Sequence, residues 1–187
     1  MKKQIEVEFR SMLSKQKHDS LKIYFDKKAK YLGQDDKDVY FYIFSDKLLK
    51  VTDNVTKKTA KLTLKLNRIG QGSSFEEIEF PIDPINVGKA VKMFNSLEIT
   101  EDTIHSFQTR HNYSYKGVEL ALKYSSEWKH HLELEIVVHN LSQKYVAENK
   151  IKELAGELNI KIMTEEELKD FVKEIESQKR KERESVK

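Results

Sequence analysis

The sequence has no cysteine, which excludes disulfides, thiolate zinc sites and cysteine nucleophiles. Its 2 prolines and 6 glycines are too few for collagen-like, low-complexity or turn-dense repeat architectures. No apolar run approaches the roughly 18 residues of a membrane helix. The start, MKKQIEVEFR, enters a charged, strand-like segment at once, so a cleavable leader is not expected. No P-loop, G-x-G-x-x-G, G-x-S-x-G or H-E-x-x-H motif occurs. These absences lead to the expectation of a cytoplasmic protein with no membrane partner.

What is abundant is charge. Asp, Glu, Lys and Arg make up 35% of the 187 residues, against roughly 25% in ordinary soluble domains. The hydrophobic share of 38% still allows one domain with a real core. The net charge is +3, and the last ten residues, QKRKERESVK, supply five basic and two acidic side chains. The rest is balanced, so bulk charge does not indicate a specific nucleic-acid partner. Residues 179–187 read as a basic tail, a solvated and fraying helix end.

Two periods alternate along the chain. Residues 4–10 set Ile5, Val7 and Phe9 on one face and Glu6, Glu8 and Arg10 on the other, the pattern of a half-buried strand. Residues 38–44, DVYFYIF, and 47–52, KLLKVT, are β-prone. Residues 59–67 place Leu62, Leu64 and Leu66 opposite Lys61, Thr63 and Lys65. IGQGSS, at 69–74, supplies turn chemistry. Ile78 and Phe80 then oppose Glu77 and Glu79. Residues 103–113, 116–124 and 131–138 add three strands, with a hairpin turn near Tyr115–Lys116–Gly117. The count is about eight strands.

Helical spacing appears between and after the strands. A loose helix is expected over 17–31. Asp83–Pro84 forms a cap and first-turn proline before Val87, Ala90, Val91 and Phe94. Ser142 is the expected cap of a helix that aligns Ala147, Ile151, Leu154, Ala155 and Leu158. Thr164 and Glu167 form a capping box before Leu168, Phe171, Val172 and Ile175. The organisation is therefore a strand-bearing domain over 1–140, helices over 141–178 packing on the same domain, and the tail.

Several strands share one chemical feature: an apolar face backed by ionisable groups at i and i+2. The acidic pairs are Glu6 and Glu8, Glu77 and Glu79, and Glu133 and Glu135; the basic members are Arg10, Lys50, Lys65, Arg110 and Lys123. The solvated face of an open antiparallel sheet satisfies this alternation. So does a barrel whose apolar outside is clad by the helices and whose charges point inward. A dry interior could not hold so many ionisable groups, so such a barrel must be a wet tunnel whose charges bind ions. Convergent carboxylates suit Mg²⁺ or Mn²⁺, and lysine and arginine suit phosphate oxygens. The two readings differ in whether Glu8 and Glu135 share one space.

The motifs narrow the choice. Glu6–Val7–Glu8–Phe9–Arg10 resembles the amino-terminal ExExK signature of the CYTH superfamily, the triphosphate tunnel metalloenzymes. Asp38–Val39–Tyr40–Phe41 looks like that family's D-x-Y-F strand, and Leu49–Lys50–Val51–Thr52 sits where L-R-I-R is expected. Leu62–Thr63–Leu64–Lys65 resembles L-T-x-K. Glu77–Ile78–Glu79 is similar to the acidic half of R-x-E-x-E, Gln108–Thr109–Arg110 lies at K-x-R, and Leu132–Glu133–Leu134–Glu135 resembles the closing E-x-E. The matches span roughly residues 4–139. The resemblance implies an α+β fold: an eight-stranded antiparallel β-barrel tunnel clad by helices, with a C-terminal helical extension. It implies a Mg²⁺- or Mn²⁺-dependent enzyme acting on a triphosphate-containing small molecule. Glu6, Glu8, Glu133 and Glu135 would hold metal, with Glu6, Glu8 and Arg10 at the catalytic centre. Arg10, Lys50, Lys65, Arg110 and Lys123 would grip the triphosphate. Glu77 and Glu79 would orient the basic groups or support a second metal.

The chain departs from the family pattern at several of these positions. Arg10 replaces a lysine, Thr52 and Phe75 stand at arginine positions, Gln108 replaces a lysine, and Lys123 stands where many members carry an aspartate that helps the metal. The expected activity is hydrolysis of inorganic, thiamine or nucleoside triphosphate. The alternatives are a class IV adenylate cyclase making cyclic AMP from ATP, and a non-catalytic polyphosphate- or nucleotide-binding module. The C-terminal helices could cap the tunnel, clad the barrel or form a homodimer. Alanine at Arg10, Lys65 or Arg110 is expected to weaken triphosphate handling without unfolding the chain, and to relieve repulsion within a cationic wall. His130 and His131, facing opposite ways, read as surface residues, and Trp128 as packing at a hairpin edge. His139 is a candidate for the tunnel mouth.

Overall fold

A computed structural model describes residues 5–66, 74–75, 77–100 and 102–185. The elements in chain order are β1 (Ile5–Met12), α1 (Lys15–Lys28), β2 (Lys30–Gln34), β3 (Lys37–Ile43), β4 (Leu48–Asn54), β5 (Thr59–Lys65), β6 (Ser74–Phe75), β7 (Glu77–Ile82), α2 (Val87–Ser96), β8 (Thr103–Tyr115), β9 (Val118–Ser125), β10 (Lys129–Val138), α3 (Lys144–Glu157) and α4 (Glu165–Glu184). Eight strands have six or more residues; β2 and β6 are short additions. The turn expected over 69–74 falls almost wholly outside the described residues.

All strand pairs are antiparallel, in the order β6-β1-β10-β9-β8-β3-β4-β5-β7, with β2 added on β8. β6 and β7 are consecutive in the chain, one residue apart. One pairs with β1 through Glu6↔Phe75, the other with β5 through Lys65↔Glu77. The two edges of the curled sheet are thereby bridged, and the α+β tunnel architecture follows. Lys116 and Gly117, both at positive φ (52° and 72°), make the tight β8–β9 turn, the conformation that matches strand twist.

Apolar strand faces point outward under the helices. Val7, Leu120, Leu122, Leu132 and Leu134 are fully buried beneath Phe25 of α1 and Ile151 and Leu154 of α3. A buried side chain of this size contributes about 1.5–3 kcal/mol, so this cluster is a major source of stability. Tyr42, Val51 and Ala60 pack under Val87, Ala90, Val91 and Phe94 of α2. The cladding stops short of β7, where Ile78 and Phe80 are 56% and 64% exposed. Alternation placed them correctly opposite Glu77 and Glu79, but no helix reaches this flank among the described residues.

α4 behaves differently. Its apolar stripe, Leu168, Phe171, Val172 and Ile175, meets Phe41, Ile43, Leu48, Ile104 and Trp128. Phe41, Leu48 and Trp128 also line the interior cavity, so α4 covers one end of the tunnel rather than its outside. The Thr164–Glu167 capping box opens it, with Glu167 N–H donating to Thr164 Oγ1 at 3.1 Å and Thr164 N–H to Glu167 Oε2 at 2.9 Å. Among the described residues, no helix is long and apolar enough to cross a membrane.

Two local expectations are corrected. The helix expected to run to residue 31 ends at Lys28, where Ala29 turns extended; Tyr31 then stacks on Tyr113 as β2 extends the long β8. The cap before α3 is Asn140, which accepts from Gln143 N–H at 3.2 Å, while Ser142 bonds to Asn140 itself. The basic residues from 179 onward lie at the end of α4, which runs to Glu184, with Lys179 3.5 Å from Glu127 and Arg180 paired with Asp102.

Candidate active site

Inward side chains of the long strands meet around one cavity of about 250 Å³. Glu6, Glu8, Arg10, Lys50, Lys65, Glu77, Glu79, Arg110, Lys123, Glu133 and Glu135 all line it. Strand register explains the meeting of distant residues. β1 pairs with β10 as Glu8↔Glu135 and Arg10↔Glu133, and β8 pairs with β9 as Arg110↔Lys123. Residues more than 120 positions apart thus become direct neighbours, on the face opposite the apolar core.

The carboxylates divide into two groups. Glu6, Glu8 and Glu135 each offer an oxygen within 4.8 Å of the others. Burial, then the charges of Glu6, Glu8 and Glu133, pushes the Glu135 carboxyl up to about 8. Glu6 is raised by burial and by Glu77. Arg10 pairs closely with Glu8, and Lys65 Nζ lies 3.8 Å from Glu8 and 4.0 Å from Glu6. Three convergent carboxylates, of which Glu6 and Glu135 are shifted toward their neutral forms, fit a hard divalent cation.

Glu133 belongs to the other group. Its Oε1 accepts from Lys123 Nζ at 2.9 Å and Arg10 Nε at 3.1 Å, and Arg110 Nη1 is 3.9 Å from Oε2. Burial would raise its pKa, but Lys123, Arg10 and Arg110 hold it well below the usual carboxylate range. Arg10 also pairs with Glu8 and lies over Trp128, 5.3 Å from the ring centroid. The resemblance grouped Glu133 with the metal ligands, and three cations face it in the fold. Glu77 is engaged by Lys65 Nζ at 2.5 Å, and Glu79 by Lys61.

The cationic groups are buried but mostly charged. Burial, then Lys65, lowers Lys50 to about 8. Burial, then Arg110 and Arg10, lowers Lys123 to about 8 against the opposing pull of Glu133. Lys65 is shifted upward because Glu8 and Glu77 outweigh its burial. These positions form a distributed anion-binding wall.

No protein-family model and no curated protein matches the chain. Solved structures do. The PH1012 protein of Pyrococcus horikoshii aligns with a TM-score of 0.68 at 22% identity, covering 83% of this chain and 91% of that one. An adenylate cyclase candidate from Vibrio parahaemolyticus gives 0.65 at 12% identity, covering 91% and 99%. An adenylyl cyclase candidate from Hippeastrum, described as having a dominant triphosphatase activity, gives 0.60 at 18%, covering 85% and 89%. The chain shares with these solved structures an α+β fold in which helices clad a curled antiparallel sheet around a tunnel.

Within this tunnel the departing positions have distinct fates. Thr52 and Gln108 line the cavity as neutral groups. The side chain of Phe75 lies outside the described residues. Four further charged or titratable residues face inward without having been assigned to the site from sequence: Lys37, Lys61, Glu119 and His131. Parity could have found them, since Lys37 shares the face of Val39 and Phe41, and Glu119 that of Lys123. His131 corrects a surface reading: it is 2% exposed, and burial, then Lys123, lowers it to about 3, so it is neutral. His130 faces the opposite side, against His18 and Tyr124. Trp128 packs as expected but against Phe171 and Arg10, inside the tunnel end. His139 lies past the end of β10 and is exposed.

Proposed function

We propose that this chain is a divalent-metal-dependent triphosphate hydrolase, acting on inorganic, thiamine or nucleoside triphosphate in the cytoplasm. The observation that carries the reading is the juxtaposition, in one enclosed cavity, of the Glu6–Glu8–Glu135 group with buried cations from other strands. Carboxylates alone would suit a structural ion, and cations alone an anion sink. The two together suit a metal-bound polyphosphate.

Glu6, Glu8 and Glu135 would hold Mg²⁺ or Mn²⁺. An ion held there would supply positive charge to offset the charge that develops as the terminal phosphoryl group leaves. Lys50, Lys65 and Arg110 bind the non-bridging oxygens from separate walls and hold the chain extended. Arg10, fixed between Glu8 and Glu133, presents its guanidinium at the end covered by α4. Glu77 and Glu79 keep Lys65 and Lys61 in place. Such positioning accounts for most of the catalysis available to phosphoryl transfer.

The test is a product assay with tripolyphosphate, ATP and thiamine triphosphate, each with Mg²⁺ and with Mn²⁺. Orthophosphate release that stops on chelation supports the hydrolase. Cyclic AMP with pyrophosphate would instead make the chain a cyclase, and tight binding without turnover would make it a binding module.

A further inference from the structure

We infer that this tunnel holds a single divalent cation, and that the Lys123 ammonium takes, on Glu133, the place of a second one. The inference rests on the metal-dependent reading above and concerns how this chain's residues divide the work. Two-metal phosphoryl-transfer sites hold their ions about 3.5–4 Å apart, so a second ion needs carboxylate oxygens adjoining the first group. Glu133 is the adjoining carboxylate on β10, two residues from Glu135 on the same face.

Its oxygens are already committed. Oε1 receives Lys123 Nζ at 2.9 Å and Arg10 Nε at 3.1 Å, and Oε2 faces Arg110 Nη1 at 3.9 Å. Glu133, Arg10 and Lys123 are all under 9% exposed, so none of these cations is a solvated side chain free to swing away. Register holds Lys123 there: it pairs with Arg110 on one side and His131 on the other. A divalent ion brought to Glu133 would meet three fixed positive charges in a low-dielectric pocket. The other candidate, Glu77, already holds Lys65 at 2.5 Å. Among the described residues, only Glu6, Glu8 and Glu135 form a close carboxylate trio. Aspartate at position 123 would add an acidic ligand beside Glu133 where this chain adds a cation. Glu133 is thus a positioning residue that keeps Arg10 and Lys123 aimed at the anion.

The experiment is a Mn²⁺ titration of the full chain without phosphate, followed by calorimetry and by the electron paramagnetic resonance of free Mn²⁺. One equivalent per chain is expected. Glu135→Gln should weaken it tenfold or more, and Glu133→Gln by less than threefold. Lys123→Asp should admit a second equivalent. Two equivalents in the parent, or a loss in Glu133→Gln as large as in Glu135→Gln, would overturn the single-ion inference and leave the metal-dependent reading standing. No Mn²⁺ binding by the parent would overturn both. If Glu133→Gln fails to fold by circular dichroism, the parent stoichiometry and Lys123→Asp decide the matter.

Discussion

Glu133 and Glu135 sit two residues apart on one face of β10, yet the tunnel treats them in opposite ways. Around Glu133, under α4, each negative charge has a buried cation against it. Around Glu135, three carboxylates converge and burial pushes one of them up to about 8. Burying charge is costly, and the fold meets that cost in two ways. One region is neutralised by its own side chains and is complete as it stands. The other sets three carboxylates against Arg10 and Lys65, which are shared with Glu133 and Glu77, and such a surplus of negative charge favours a bound cation. Similar residues on one strand therefore need not share a role, and the partner across the pair decides.

The strongest way to break this contrast is Arg10→Ala. It strips the guanidinium from between Glu8 and Glu133, both buried. A loss of about 3–5 kcal/mol of stability is expected, the range for breaking a buried pair, together with loss of turnover. Chemical denaturation checks it. The structure thus corrects the expectation that removing this cation relieves repulsion, because Arg10 is held by two carboxylates rather than crowded by like charges.

Next is Ile175→Ala, which hollows the contact between α4 and the tunnel end. About 2 kcal/mol should be lost, while Mn²⁺ affinity at the Glu135 region stays within twofold. A large change in Mn²⁺ affinity would show the two regions to be coupled.

Glu135→Gln sharpens the contrast through pH. A carboxyl whose folded pKa is raised to about 8 keeps its proton when the unfolded chain has lost it. Stability from this group therefore falls as pH rises from about 4.5 to about 8. The variant should remove that slope and be more stable than the parent at pH 8, by on the order of 2 kcal/mol after allowing for relaxation. Mg²⁺ should raise the parent's melting temperature more at pH 8 than at pH 6, and the variant's little at either. Melting curves across that window, with and without Mg²⁺, test all three expectations.

The smallest effect concerns the edge of the paired region. Lys179→Ala removes a partly exposed contact with Glu127 and should cost no more than about 0.5–1 kcal/mol. Thermal melting that drops far beyond this would give the α4 terminus a larger part in holding the tunnel end.

Sequence alone determined which residues share a face of each strand. Strict alternation on Glu6–Arg10, Leu62–Lys65 and Leu132–Ile136 leaves one register that buries the apolar set, because a slip by one residue would invert every side chain. The capping box at Thr164 and the tight turn at Lys116–Gly117 were equally local and equally legible. Parity could also have yielded Lys37 and Glu119, had it been followed past the motifs. What only the tertiary structure decided was pairing across strands. That Lys123 and Arg10 meet on Glu133, that Glu135 is left with Glu6 and Glu8, and that α4 turns its stripe to the tunnel end all depend on contacts between segments far apart in the chain. Alternation fixes the side of a strand on which a charge lies, but its neighbours, and hence its free energy, are set by register and barrel closure.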